Sequence, residues 1–402
     1  MTDQILTTQL TSTLSPELLE DSVESRIVKI RPAATPLDQI TRCIGHRKAD
    51  SMKVAYYSVD IKPGSDTVST GSRETTFDPN EDIAIGVNHE ALFAPTDTVM
   101  LPDVMFHDAD GRQHSLGGYV TRVADGKIYI RPNTTPFDGD GMEMVPEIPA
   151  GATVVRMGRA ASELDVMTGL YNSLPVKDFN YCQIFKAQIE SSTLQSLARK
   201  EVGWTFYDQE EVAVIDMRLG MEKTFLFGTR GRLELADEGG TEVLLTGGIW
   251  QQAGRDFSFE GSVDARSLPA LMRKAFTCSG GSRAKVLIAG SGLVEQLSGL
   301  DYTRVVQSAG KSVHWGIDFD TIVSKFGTLN VIHSEIFDLC GHENDGIIID
   351  PEYVTKYTHI PFNAQRLNLK QAGVRNTDAI VMTEASCVVL RYPEAHVRVT
   401  LD

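Results

Sequence analysis

Apolar residues recur at helical spacing most clearly in Trp204–Gly228, WTFYDQEEVAVIDMRLGMEKTFLFG. At about 3.6 residues per turn, Tyr207, Val214, Met217, Met221 and Phe225 share one stripe. Val212, Ile215, Leu219 and Leu226 form a second, with Glu211, Arg218 and Glu222 in the wedge between them. Ala213 and Gly220 lie on a third face, where another backbone could come close. One stripe would dock a surface helix; two predict a rod packed on more than one side, roughly 36 Å long at 1.5 Å per residue. The rod is longer if Gln195–Glu201 belongs to it. Periodicity leaves two readings open: the central helix of a large core, or a strut shared between a subunit and its neighbours.

The pattern elsewhere is different. Residues 1–50 are polar, rich in Ser and Thr, and punctuated by Pro16, Pro32 and Pro36, which reads as an arm. Leu10, Leu14, Leu18 and Leu19 could form a short docking helix within it, started at Ser15-Pro16. From Met52 to Gly158 short apolar runs are broken by Gly, Pro, Asn and Asp, a β-rich signature. Tyr119–Val123 and Lys127–Ile130 flank Asp125-Gly126, which supplies the positive φ angles of a tight hairpin. Leu92-Phe93, Thr98–Leu101 and Thr153–Met157 are candidate further strands of a small barrel or ribbon. Beyond the rod, Leu233–Gly248 reads as loop and short strand, Leu268–Phe276 and Gly292–Leu300 as helices, and Lys285–Ala289 as a buried strand. Trp315–Val323, Thr328–Ser334, Gly346–Asp350, Ala379–Met382, Cys387–Leu390 and Val397–Leu401 are strand-like. This order predicts an α+β fold rather than a βαβ repeat.

Composition narrows the function. A chain of 402 residues is expected to divide into two or three lobes. A net charge of −16 argues against a protein that grips nucleic-acid phosphates, and the one basic run, Arg26-Ile-Val-Lys29-Ile-Arg31, reads as a solvated edge. Five cysteines without a CxxC pair suggest a reducing compartment. The N-terminus has no secretory pattern, and no apolar run approaches the roughly 20 residues of a membrane span, so an intracellular, membrane-free product is expected. Gly290-Ser291-Gly292 follows a strand as a phosphate loop would, but Glu295 occupies the third glycine position, so a plain strand-to-helix turn is the better account. Asp338, Cys340, His342, Glu343 and Asp345 are metal-capable but lack a second cluster at zinc spacing, and read as a polar loop. No nucleophile and base can be paired from the sequence, and neither catalysis, a cofactor nor a metal is expected.

Several stretches, in this order, resemble one family. They are Val154-Val-Arg-Met-Gly158-Arg-Ala, Asn180-Tyr181-x-Gln183-Ile-Phe185 leading to the rod, Trp315-Gly316, Gly327-Thr-Leu-Asn-Val331, Glu384 on a strand, and Leu390-Arg391-Tyr392-Pro393-Glu394-Ala395-His396-Val397. The chain resembles the major capsid proteins of tailed bacteriophages with the Hong Kong 97 fold, in the branch whose enlarged extended loop carries a β-barrel. The resemblance implies an N-terminal arm (1–50), an extended loop (51–165) with the barrel at about 83–158, and a peripheral domain with a spine helix (166–230). An axial domain (231–375) and the peripheral domain's C-terminal strands (376–402) would follow. It further implies a non-enzymatic subunit, made in the host bacterial cytoplasm, that assembles as hexamers and pentamers into an icosahedral virion capsid around double-stranded DNA. Its partners would be copies of itself, with scaffolding, portal and decoration proteins. Residues 1–50 are too short and too poor in heptads for a built-in scaffold, so a separate scaffolding protein or none is expected. Tyr207, Glu211, Val212, Ile215, Arg218, Leu219 and Glu222 become the candidate assembly residues. Two alternatives remain: a nucleotide-dependent enzyme using Gly290-Ser291-Gly292, and a β-rich phage fibre or carbohydrate-binding protein.

Overall fold

The computed structural model describes residues 35–58, 64–138, 140–161, 163, 176–197, 205–235, 241–264, 266–277, 281–299, 307–314, 317–371, 373 and 375–401. The leucine-rich segment at 10–19, Trp204 and Trp315-Gly316 lie outside them. The chain forms two compact units, residues 1–58 with 177–402, and residues 59–176.

Among the described residues, the first unit opens with helix α1 (Pro36–Ile44) and strands β1 (His46–Lys48) and β2 (Lys53–Ser58). Residues 36–48 therefore belong to the folded body, against the expectation of an arm running to residue 50. Pro36 is the cause of that misreading. It occupies the first turn of α1, where its fixed φ suits a helix and its missing N–H is not needed. Leu37 and Ile40 are fully buried, so this segment is core.

The second unit contains β3 (Ser65–Thr70), β4 (Thr75–Thr76), β5 (Ile83–Val87), β6 (Asp97–His107), β7 (Gln113–Ala124), β8 (Lys127–Pro132), β9 (Met144–Val145) and β10 (Thr153–Arg159). Six strands close a barrel in the order β10-β3-β5-β8-β7-β6, and β4 pairs with β9. The barrel takes in β3, so it starts at Ser65 rather than near residue 83. β3, SDTVST, was illegible because Val68 is its one apolar residue. Alternation fills the interior: Ile128 and Ile130 of β8 point inward and meet Ile85, Leu101, Leu116, Val120 and Val154. Asp125 and Gly126 turn the β7–β8 hairpin with φ of 56° and 74°, and Ala124 pairs with Lys127 across it. Leu92 ends a short 3-10 turn rather than a strand.

The first unit resumes with β11 (Val176–Tyr181), β12 (Gln183–Ser192), α2 (Thr193–Leu197) and the long helix α3 (Phe206–Phe227). Then come β13 (Gly231–Leu235), β14 (Thr241–Leu245), α4 (Ile249–Gln252), β15 (Arg255–Phe259), α5 (Ser267–Phe276), β16 (Ala284–Ala289) and α6 (Ser291–Ser298). The chain ends with β17 (Gln307–His314), β18 (Ile317–Val323), β19 (Thr328–His333), α7 (Glu335–Leu339), β20 (Gly346–Ile349), β21 (Val354–Asn368), β22 (Thr377–Leu390) and β23 (Val397–Leu401). Two larger sheets organise these elements: β1-β21-β22-β12, and the seven-stranded β15-β23-β20-β16-β19-β18-β17.

Strand pairing redraws two expected boundaries. β21, within the stretch read as axial, pairs along β22 in the sheet beneath α3. β23, read as peripheral, instead joins β15 and β20 in the seven-stranded sheet. The two apolar runs Ala379–Met382 and Cys387–Leu390 are one continuous strand, β22. β16 is buried on both faces, as expected for a central strand, and its alternate residues enter different cores. Val286 and Ile288 join α1 and α3, whereas Leu287 and Ala289 join α5 and α6.

The hairpin gives a first prediction. Val at position 126 would have to hold a positive φ that a β-branched residue resists, at roughly 1–2 kcal/mol. Gly126→Val should therefore speed amide hydrogen exchange in Gln113–Pro132 while leaving exchange in β16 and β22 unchanged.

Candidate assembly surface and the charge network beneath it

Helix α3 starts with a capping box: Thr205 accepts from the Asp208 N–H, and the Asp208 carboxylate accepts from the Thr205 N–H. It ends at Gly228, where a Cβ would lie 2.4 Å from the Thr224 carbonyl oxygen and 2.7 Å from that of Thr246. Over 22 residues it spans roughly 33 Å. Its burial is graded along its length. In the C-terminal half, Met217, Met221, Phe225 and Leu226 are buried, and Phe225 meets Phe185 of β12 edge-to-face at 5.6 Å. In the N-terminal half, Tyr207 is 69% and Val212 44% exposed, and nearby in sequence Leu194 of α2 is 79% exposed.

The seven candidate residues therefore separate. Tyr207 and Val212 are exposed, and Glu211 and Ile215 are half-buried. Leu219 is half-buried and packs against the main core. Arg218 and Glu222 face into the subunit and hold α1. Glu222, read as part of an assembly face, is fully buried. Its two carboxyl oxygens accept the Leu37 and Asp38 N–H groups at 2.7 and 2.9 Å, capping the N-terminus of α1 from another helix.

Around this cap lies a buried charge network. Lys356 of β21 places Nζ 2.8 Å from Asp38 Oδ1 and 2.9 Å from Glu384 Oε1 of β22. Arg218 lies 3.2 Å, and Arg42 2.5 Å, from Asp38 Oδ2. Ser386 Oγ donates to Glu384 at 2.9 Å, and the Phe225 ring sits 5.4 Å from Lys356 Nζ. Three cations thus meet three carboxyls drawn from α1, α3, β21 and β22. Burial pushes the Glu222 carboxyl up to about 8, although the two N–H donors and Lys356 oppose that rise.

Other motif residues stitch loops together. Asn180 donates from Nδ2 to the Gly247 and Val388 carbonyls and accepts the Gly247 N–H. Gln183 accepts the Thr246 N–H, so both side chains fix the loop that abuts the end of α3. Buried Lys285 donates to the Ala275 carbonyl at the end of α5 and to the Ala395 carbonyl in the Tyr392-Pro393-Glu394-Ala395 turn. Burial brings Lys285 down to about 8. His396 accepts the Asp350 N–H, and burial takes it down to about 3, so it is neutral. In the barrel unit, Arg159 pairs with buried Asp97 at 2.9 Å.

Gly290-Ser291-Gly292 is a strand-to-helix turn whose donors are already engaged. Gly290 N–H donates to Asp345 O, Gly292 N–H to Glu343 O, and Ser291 N–H to the Asp338 carboxylate. A Cβ on Gly290 would come within 2.4 Å of Glu343 O, which explains the glycine by close packing rather than phosphate binding. His333 pairs with Asp338, His342 pairs with Asp345, and the His342 ring stacks on Phe227 at 4.6 Å. No group of three or more metal-capable side chains occurs among the described residues. Within them, no helix is long and apolar enough to cross a membrane.

The family described as SU10 major capsid protein matches residues 2–401. No curated protein matches significantly. Among solved structures, the capsid of an empty GTA particle computed with C5 symmetry is similar, with TM-score 0.48 and 7% identity over 97% of this chain and 98% of that one. A structure from Mycobacterium phage Bobi gives 0.46 and 8%, over 98% of each chain. The mature capsid of bacteriophage PhiM1 gives 0.39 and 8%, over 61% of this chain and 79% of that one. The family match, spanning almost the whole chain, carries the assignment.

Two predictions follow from the network. Lys356→Met leaves Asp38 and Glu384 facing each other without their shared cation, and should destabilise the subunit by about 3–5 kcal/mol in denaturant unfolding. Glu222 binds its proton more tightly folded than unfolded, so its stabilising contribution is full below about 4.5 and is lost as pH rises through about 8. Wild-type thermal midpoints should therefore fall relative to Glu222→Gln between pH 5 and 9, and parallel curves would refute this protonation.

Proposed function

The chain belongs to the SU10 major capsid protein family, and from that premise we propose that it closes its shell through the N-terminal half of α3. It is a phage major capsid protein, a structural subunit of a shell built from capsomers. The carrying observation for the contact is the graded exposure of one helix. Its C-terminal half is committed to the subunit's own core, while Tyr207 and Val212 remain open beside half-buried Glu211 and Ile215. Exposed apolar residues grouped on an otherwise anchored element are a common mark of an interface.

In this reading neighbouring copies in hexamers and pentamers bury that face, through heterologous contacts repeated around each rotation axis of an icosahedral shell. The barrel unit at 59–176 serves as the extended loop, and the seven-stranded sheet as the axial domain. The subunit is made in the host cytoplasm and meets scaffolding, portal and decoration proteins there or in the particle. The shell encloses double-stranded DNA without sequence-specific contacts, in keeping with a net charge of −16. No catalysis is assigned to it.

Paired substitutions test the division of α3. Val212→Glu should leave a folded, soluble subunit, by circular dichroism and sedimentation, that yields few or no shells by electron microscopy. Leu219→Glu, placed against the core, should instead lower the thermal midpoint or abolish folding. Normal shells from Val212→Glu and Tyr207→Glu would remove α3 from the contact.

A further inference from the structure

Cys182 and Cys387 lie 205 positions apart in sequence and meet in the core of the first unit. β12 and β22 are antiparallel, with Gln183 opposite Ser386 and Ile184 opposite Ala385. One step further along the same register sets Cys182 against Cys387, and their Sγ atoms are 3.6 Å apart. Both residues are fully buried, in a small cluster with Ala49, Val54, Tyr56 and Val389. The Cys182 N–H donates to the Met52 carbonyl, and Cys387 pairs on its other side with Tyr357 of β21. Directly opposed residues in an antiparallel pair have Cβ atoms about 4.5–5.5 Å apart. A disulfide needs about 3.5–4.5 Å, so a small side-chain rotation and strand approach would close the bond.

We propose that Cys182 and Cys387 are the site of an intrasubunit disulfide, formed by exchange with a low-molecular-weight disulfide. When folding or local opening exposes the pair, the Cys182 thiolate attacks one sulfur of the oxidant RSSR, breaks its S–S bond and releases RS⁻. The Cys387 thiolate then attacks the Cys182 sulfur of the mixed disulfide and releases the second RS⁻. In sum, two protein thiols lose two protons and two electrons, and RSSR is reduced to two RSH. The bond fastens the edge strand β12 to β22 and closes a loop that contains α3 and most of the seven-stranded sheet. In a reducing cytoplasm the pair stays as thiols; in an oxidising medium it becomes a staple. Exposed Cys43 and Cys340 provide the comparison for thiols that react without a built partner.

The test uses the full-length chain in two ways. Reduced, denatured protein is refolded in a glutathione redox buffer, and assembled shells are separately incubated with oxidised glutathione. Free thiols are alkylated under denaturing conditions, and the products are read by intact mass and peptide mapping. The expected result is a form that carries two alkyl groups fewer than the fully reduced chain, one linked peptide containing Cys182 and Cys387, and a rise of a few degrees in thermal midpoint that dithiothreitol reverses. Cys182→Ala should abolish both the link and the reversible rise. If that variant does not fold, the wild-type map decides. Complete alkylation of both cysteines after both treatments overturns the proposal, as does a map in which either pairs equally with Cys43, Cys278 or Cys340.

Discussion

The ammonium of Lys356 between the carboxylates of Asp38 and Glu384 is the contact on which the main body depends. Removing three charged groups from water is expensive, and only close pairing with hydrogen bonds recovers the loss. That demand is geometric. α1, α3, β21 and β22 each contribute a group, so α1 must dock where Asp38 meets Lys356 while its own N-terminus meets Glu222. A greasy helix could slide along an apolar groove with little penalty; a helix bound by these contacts has one position. Well-packed hydrophobic replacements are often at least as stable as such networks, so uniqueness of docking is the better account of this one.

The same logic explains which features the sequence shows. Regular burial writes itself into periodicity. The α3 stripe Met217, Met221 and Phe225, the β16 run Val286–Ala289 and the Asp125-Gly126 turn were all readable, because each is dictated by local geometry. β21 was not. Its residues VTKYTHIPFNAQRLN are mostly polar and include Pro361, which breaks the strand signal. In the fold, register shifts on both sides of Ile360 accommodate that proline, and the remaining pairing along β22 makes the strand. The burial of Lys356 likewise depends on partners more than 300 or nearly 30 positions away, at Asp38 and Glu384, which no local window contains. The candidate surface was half legible for this reason. Glu222 and Arg218 share a helix face with residues that remain exposed, and only tertiary contact with α1 distinguishes them.

The stretches that carried the family resemblance have a common physical character. Asn180, Gln183, Glu384 and the turn at Tyr392–Ala395 are places where a polar group crosses between segments remote in sequence. Asn180 satisfies backbone groups in the loop at Gly247 and in β22; Lys285 donates to the Ala275 carbonyl in the last turn of α5 and to that of Ala395. Such groups are poorly replaceable, because a substitution leaves a buried donor or acceptor unpaired. Apolar positions around them tolerate exchange provided volume and pattern are kept. That is why short polar motifs in the sequence were informative where bulk composition was not.

The asymmetry of α3 follows from where those stitches lie. Its C-terminal end abuts the Thr246–Gly248 loop, packs on Phe185 and holds α1 through Glu222, so it cannot shift without exposing buried polar groups. Its N-terminal end has a local capping box, in which Thr205 and Asp208 satisfy one another. A helix anchored at its C-terminal end can hold Tyr207 and Val212, exposed on either side of Glu211 and Ile215, in fixed positions, with little ordering entropy left to lose on association. For a subunit that must make the same contact many times in a closed shell, that preorganisation matters more than the strength of any single contact. Errors in docking angle add up around a ring, whereas a weak contact is strengthened by its repeats.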